Sequence, residues 1–138
     1  MKINLVNSFD SILDNYNGEF LKCILLDDNR ENILKMNNQI KKLKGIEVVS
    51  SSILNLEIME EGTSKGKAAA NLAKYLDIDI QQVAAIGDNE NDLSMIKIAG
   101  LGIAMGNATD EVKKQAKRVT ASNNEDGVFY AINKFILS

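Results

Sequence analysis

Apolar residues along the chain follow two periods, one typical of helices and one typical of strands. In residues 1–60, helical spacing predicts a helix at 6–16 and a second helix whose apolar face runs from Ile33 to Leu43 and which Gly45 ends. Short apolar runs predict strands at 20–26, 46–49 and 53–59. We expect this part to form a small α+β layer with a partly antiparallel sheet.

Residues 61–138 alternate helices and strands more regularly. The polar segment 60–65 separates the two parts, and Ser64 is in position to cap the helix that follows. Apolar patterns then predict strands at 83–86, 101–104 and 118–120, and helices at 69–76, at 91–98, from 109 onward and at 128–136. Helix, strand, helix, strand, helix is the order of a parallel, doubly wound sheet, so the predicted fold class is α/β.

The composition is that of an ordinary soluble globular protein, with 45% hydrophobic and 25% charged residues in a chain of 138. The net charge of −3 gives no reason to expect a nucleic-acid or membrane partner. No apolar segment approaches the roughly 20 residues of a membrane helix, and the first residues lack the apolar core of a signal peptide. We therefore expect a cytoplasmic location.

The 138 residues contain no His and a single Cys, which excludes several catalytic groups within them. A Ser-His-Asp triad, a Cys-His nucleophile and a His-ligated zinc site all need histidine. Cys23 lies in an apolar run, where a buried structural thiol is expected rather than a reactive one.

The segment 83–95, VAAIGDNENDLSM, carries the candidate chemistry. Its apolar run would deliver Asp88 to the carboxyl edge of a buried parallel strand, where open α/β sheets bind ligands. Asp92 follows four residues later, so both carboxylates would share one face of the first helical turn. Two such charges repel unless a cation intervenes, and Mg2+ prefers oxygen ligands. The alternative is a capped strand-to-helix loop with solvated acids, and the spacing alone leaves both open.

Four blocks of sequence resemble one family in their order and spacing. They are SKGK at 64–67, IGDNEND at 86–92, GIAMGNA at 102–108 and SNNEDGV at 122–128. Together they resemble the haloacid dehalogenase (HAD) superfamily and, more narrowly, its Cof-type sugar-phosphate phosphatases. The similarity is close from Thr63 to Ile136. It extends more loosely back to Phe20, over what looks like the closing part of the family's α/β cap.

The resemblance implies a fold of two regions. Residues 1–60 would be part of an α+β cap. Residues 61–138 would be the carboxyl-terminal half of the core, that is, half of a HAD-type Rossmann-like parallel sheet with helices on both faces. In this family the cap largely sets the choice of substrate.

The resemblance also implies a reaction, the Mg2+-dependent hydrolysis of small phosphorylated metabolites such as sugar phosphates. By position, Lys65 matches the family lysine that holds the phosphate, a role for which its point charge is suited. Asp88 and Asp92 match the acids that hold Mg2+, the second directly or through water. Asn91 matches a residue that helps to orient the phosphate or the metal shell.

One family motif does not occur in these 138 residues: D-x-D-G-T, which carries the nucleophilic Asp and the general acid/base. The chain looks as though it begins inside the cap, so the first half of the core would be missing. We expect the chain to be inactive alone and its sheet to expose an apolar edge. The alternative is a non-catalytic subunit that buries this edge in a homo-oligomer or against a separate amino-terminal chain.

A third hypothesis is a self-sufficient enzyme that uses Asp27 or an acid of a second subunit. Asp27 and Asp28 follow an apolar run, as a nucleophilic Asp would. Asn29 stands where the general acid/base would be, however, and an amide does not exchange a proton as a carboxyl does. The same stretch also matches a cap strand followed by the start of a helix.

Overall fold

The computed structural model describes residues 21–137, which form two three-stranded sheets with their helices. The helix predicted at 6–16 lies outside the described residues. The first sheet contains β1 (Cys23–Leu26), β2 (Ile46–Val49) and β3 (Asn55–Glu60). The second contains β4 (Ala84–Gly87), β5 (Leu101–Ala104) and β6 (Arg118–Val119).

The first sheet is antiparallel throughout, with β3 between β1 and β2. Helix α1 (Arg30–Ile40) packs on one face of it, where Ile33, Val48 and Leu56 form a buried apolar cluster. Alternation along β3 places Leu56 on that face and Glu57 on the other, because successive side chains of a strand point to opposite sides. The prediction of a small α+β layer is confirmed.

Helix α1 ends earlier than its apolar spacing predicts. The Lys42 and Leu43 amides bond to carbonyls three residues back, so the chain tightens after Ile40, and Gly45 completes the turn at φ +80°. Leu43, predicted to lie on the buried face, is therefore 62% exposed. Cys23 was expected to be buried and is only half-buried.

The second sheet is parallel, in the order β4-β5-β6. Helix α3 (Leu93–Ile98) connects β4 to β5, and helix α4 (Asp110–Gln115) connects β5 to β6. Their apolar residues meet in a buried cluster of Ile96, Ala104, Ala108 and Val112. The predicted α/β class is confirmed, and the carboxyl ends of all three strands lie at one edge of the sheet.

Two helices carry apolar stripes that remain largely exposed in the described structure. Helix α2 (Lys65–Tyr75) begins at the predicted Ser64 cap, yet Leu72 and Leu76 are 58% and 53% exposed. Helix α5 (Gly127–Ala131) continues into a π-helical segment at Ile132–Ile136; Ala131 is buried, whereas Val128 and Ile136 are 50% and 44% exposed. Both helices thus leave apolar side chains exposed in the described structure, although Ala73 of α2 is buried.

No helix within the described part of the chain combines the length and the apolar character that a membrane span requires.

We expect Leu56→Ala to lower the free energy of unfolding by about 2–5 kcal/mol, because it leaves a cavity between the first sheet and α1. Leu43→Ala is the matched control, since an exposed side chain contributes little and its removal should change stability by less than about 0.5 kcal/mol. Urea denaturation followed by circular dichroism measures both. Equal losses in the two variants would contradict the burial described here.

Candidate functional site

An ion pair between Lys65 and Asp92 lies at the centre of the candidate site. The Nζ of Lys65, the first residue of α2, is 2.5 Å from Oδ1 of Asp92. Asp92 ends the 3-10 turn Glu90–Asp92 that follows β4. The Asp92 side chain is only 7% exposed, whereas that of Lys65 is 50% exposed. The ion pair therefore links a buried carboxylate to a solvent-accessible lysine.

The second carboxylate oxygen of Asp92 fixes the loop that follows β4. It accepts the backbone N–H groups of Asp88, at 2.9 Å, and of Asn89, at 3.1 Å. Gly87 is needed here, because a Cβ at this position would collide with the Asp92 side chain. The two acids were expected on one face of a helical turn. Instead, Asp88 precedes the turn, and Asp92 folds back onto its amide.

Electrostatics keep Asp92 ionised. Burial by itself would raise the pKa of this carboxyl, but the hydrogen bond from Lys65 and the N–H groups of Asp88 and Asn89 outweigh burial and hold the pKa below its ordinary value. Asp92 is therefore ionised at neutral pH.

Asp88 is held by amide side chains from two loops. Its Oδ1 accepts from Asn89 Nδ2 at 3.1 Å, and its Oδ2 accepts from Asn107 Nδ2 at 2.8 Å. The Asn107 Oδ1 in turn accepts the Asn123 N–H at 2.9 Å. Asn107 was not among the predicted site residues. Its position just after β5, next to β4 at the same edge of a parallel sheet, is the signal that would have found it.

The donor set at this edge fits Mg2+. Asp88 is half-buried and its oxygens each accept one amide hydrogen, which leaves lone pairs on both. The Oδ1 of Asn91 is buried and has no hydrogen-bond partner among the described residues. No group of three or more acidic, His or Cys side chains suited to a metal occurs within residues 21–137. Mg2+ is commonly held by only one or two carboxylates, so a pair of acids with an amide oxygen is a suitable partial set.

The contact between α2 and α3 determines where Lys65 lies. The Gly66 N–H donates to Ser94 Oγ at 2.9 Å, and a Cβ at Gly66 would lie only 2.6 Å from the Ser94 carbonyl oxygen. Only glycine permits this approach, which places the start of α2 beside the turn that carries Asp92.

A cavity of about 670 Å³ lies between the first sheet and the start of α2 and α3. Lys65, Asn91 and Ser94 line it on one side, and side chains of β2 and β3, among them Glu57, line it on the other. Asp88 and Asp92 are not among its lining residues. The cavity has the size of a small-molecule site.

Asp27 has a structural role in the fold. Its Oδ1 accepts the Asn29 N–H at 2.7 Å and its Oδ2 accepts Asn32 Nδ2 at 3.1 Å, so its carboxylate braces the start of α1. Asp27 does not line the cavity. This geometry favours the helix-start interpretation of the segment over that of a nucleophile.

Comparison with known proteins defines the class. A model of the haloacid dehalogenase-like hydrolase family matches residues 2–132. The chain therefore belongs to this family, and the resemblance inferred from the four sequence blocks is confirmed.

Individual relatives are similar in sequence and in structure. The chain is 42% identical over 111 residues to the 5-amino-6-(5-phospho-D-ribitylamino)uracil phosphatase YcsE of Bacillus subtilis, covering 80% of this chain and 43% of that protein. A haloacid dehalogenase-like hydrolase structure from B. subtilis superposes with a TM-score of 0.87 at 33% identity, covering 95% of this chain and 46% of the other. A HAD subclass IIB sugar phosphatase superposes with a TM-score of 0.75 at 25% identity, covering 86% and 44%. The chain thus spans less than half the length of these relatives.

We expect Asp92→Asn to destabilise the fold by roughly 1–3 kcal/mol at pH 7, because the Lys65 charge and two backbone N–H groups lose an ionised partner. The Asp92 pKa is lower in the folded than in the unfolded chain, so its contribution is present above the unfolded value of about 3.9 and is lost as the pH falls through the folded pKa. The difference between the two proteins should therefore shrink below about pH 4. Urea denaturation between pH 3 and pH 7 measures it.

Asp28→Asn is the matched control for this series, since Asp28 is exposed and its side chain makes no hydrogen bond or ion pair within residues 21–137. It should track the wild-type protein at every pH. A stability difference for Asp92→Asn that stayed constant down to pH 3 would contradict the charge-based account.

Proposed function

We propose that the chain is the carboxyl-terminal portion of a Mg2+-dependent, Cof-type phosphatase that acts on small phosphorylated metabolites. The observation that carries the proposal is the Lys65–Asp92 pair at the carboxyl edge of the parallel sheet, linked through a backbone N–H to Asp88. The names of its relatives support the substrate class, because one acts on a phosphoribitylamino compound and another is a sugar phosphatase.

Each residue has a distinct role in this proposal. Lys65, which lines the cavity and has a 50% exposed side chain, would bind phosphate oxygens with its ammonium group. Asp88 and Asp92 would hold Mg2+, and Asn91 would offer its unpartnered amide oxygen to the metal shell or to its water. Bound Mg2+ would neutralise charge on the phosphoryl group and on the attacking carboxylate. Phosphoryl transfer depends mainly on such positioning and charge neutralisation.

The nucleophile is the part of the machinery that these residues do not supply. The 138 residues contain no D-x-D-G-T, and Asp27 is engaged at the start of α1. In this proposal the attacking carboxylate and the general acid/base belong to a complementary half of the core. The chain alone would then bind Mg2+ and phosphate without hydrolysing a phosphate ester.

We expect the purified chain to release no p-nitrophenol from p-nitrophenyl phosphate in the presence of Mg2+, with or without Asp88→Asn. Metal binding should still be measurable: Mn2+, used as a paramagnetic substitute, should broaden the NMR amide signals of residues 87–92. Because Asp88 is a proposed ligand, Asp88→Asn should weaken this binding by about tenfold or more. Asp28→Asn, which removes an exposed acid elsewhere, should leave it unchanged.

Two results would contradict the proposal. Turnover by the wild-type chain that disappears in Asp88→Asn would mean that a complete site forms without the expected motif. Mn2+ broadening that is absent, or equal in the wild-type and Asp88→Asn proteins, would mean that these acids do not hold a metal.

A second candidate function is that of a non-catalytic subunit that pairs with another copy or with a separate chain. Within residues 21–137, β4 has a strand neighbour on one side only. Apolar side chains are also exposed on α2 and on the last helical segment, among them Leu72, Leu76, Phe129 and Ile136. Free strand edges and exposed apolar stripes favour association.

For this second candidate we expect the chain to form dimers or larger species in sedimentation-velocity experiments at micromolar concentrations. Leu76→Glu should shift the distribution toward monomer, because it places a charge in an exposed apolar stripe. Leu43→Glu is the control, since Leu43 is 62% exposed, against 53% for Leu76, but lies in the turn after α1. A wild-type chain that stays monomeric at every concentration would rule out self-association.

A further inference from the structure

The cavity wall formed by the first sheet carries two acidic side chains on one face. In the strand register, Glu47 of β2 lies opposite Met59, and Val49 lies opposite Glu57 of β3. Glu47 and Glu57 are therefore diagonal neighbours on adjacent strands. All four residues line the cavity. Val48 also borders it but packs with Leu56 and Ile33 of α1 in the buried apolar cluster. We call Glu47 and Glu57 the acidic wall.

Glu57 is a charged and preorganised acceptor. Its side chain is 13% exposed, and it accepts the Ser51 hydroxyl at 2.6 Å and Lys22 Nζ at 3.0 Å. The Ser51 hydroxyl first, and then Lys22, hold the pKa of Glu57 below its ordinary value. The charge of Lys65 lowers the pKa of Glu57 further, so Glu57 and the proposed phosphate lysine lie within electrostatic reach of each other.

Glu47 is the free acceptor of the pair. It is half-buried, and it makes no hydrogen bond or ion pair with any residue of the described part of the chain. A partly desolvated carboxylate without a partner is stabilised by any hydrogen-bond donor that enters the cavity. The two acids therefore favour a ligand that brings hydrogen-bond donors to this wall of the cavity.

We propose that Glu47 and Glu57 are specificity residues that accept hydrogen bonds from hydroxyl or amino groups on the leaving group of a phosphate monoester. The ester's phosphate lies at Lys65, so the inference rests on the proposed function. A polyol phosphate offers a phosphate to Lys65 and hydroxyl donors to the two acids. An alkyl phosphate of the same length would displace water from the two acids without offering them hydrogen-bond donors. A site that binds hydroxyl groups discriminates strongly against such an analogue.

The test compares two ligands that differ only in their hydroxyl groups, D-sorbitol 6-phosphate and n-hexyl phosphate. Isothermal titration calorimetry on the whole 138-residue chain with Mg2+ gives a Kd for each. We expect sorbitol 6-phosphate to bind more tightly, and we expect Glu47→Ala and Glu57→Gln each to reduce this preference by about three- to tenfold. Glu47→Ala removes no hydrogen bond or ion pair of the described structure, and circular dichroism checks that the variant is folded.

Two further variants separate this inference from the proposed function. Glu60→Ala is the matched control, because Glu60 lies on the same strand, is exposed and does not line the cavity; it should leave the preference unchanged. Lys65→Met should weaken the binding of both ligands to the same extent, since both carry the phosphate.

Each outcome decides a different point. One outcome is a preference for sorbitol 6-phosphate that is equal in the wild-type, Glu47→Ala and Glu57→Gln proteins while the binding of both ligands still depends on Lys65. That result overturns the specificity role of Glu47 and Glu57 and leaves the proposed function standing. Binding of neither phosphate, or binding that Lys65→Met does not change, overturns the phosphate site and the inference with it.

Discussion

The ion pair between Lys65 and Asp92 is the interaction on which the rest of the candidate site depends. Burying an ionised carboxylate without hydrogen-bond partners would destabilise the fold. The Asp92 side chain is 7% exposed, and both of its oxygens have partners. One oxygen meets the start of α2, and the other meets the loop after β4. A single side chain therefore joins the helix that carries the lysine to the loop that carries Asp88. Gly66 and Gly87 permit the two close approaches that this arrangement needs.

The parallel sheet extends this arrangement to its neighbouring loops. Because β4, β5 and β6 run in the same direction, the segments that follow them meet at one edge. Asn107, after β5, donates to Asp88 and accepts from the Asn123 amide, after β6. Its amide thus orients an acid of the candidate site from outside, as partners behind metal ligands commonly do. The antiparallel sheet contributes the opposite wall of the cavity, with Glu57 facing it.

Local features of this structure were predictable from sequence, and long-range ones were not. The strands Ile46–Val49 and Leu101–Ala104 and the Ser64 cap follow from short apolar runs and a side-chain oxygen, all of which act over a few residues. The family blocks identified Lys65, Asp88 and Asp92, but not the pairing of Lys65 with Asp92, which are 27 positions apart. The contact of Asn107 with Asp88 depends on strand order. The exposure of Leu72 depends on which surface faces α2, a property of the assembled fold that periodicity does not contain.

Charge balance explains why Lys65 and a metal would belong together in this site. Asp88 and Asp92 place two carboxylates in one loop, yet only Asp92 has a cationic partner in the described structure; Asp88 takes neutral amide donors from Asn89 and Asn107. A phosphate that drew Lys65 toward the cavity would leave the buried Asp92 charge without its ion pair, which is strongly unfavourable. A divalent cation at Asp88 and Asp92 would replace that lost charge and also attract the phosphate. Under the proposed function, metal and phosphate binding would therefore favour each other, because one lysine cannot neutralise Asp92 and a phosphate at the same time.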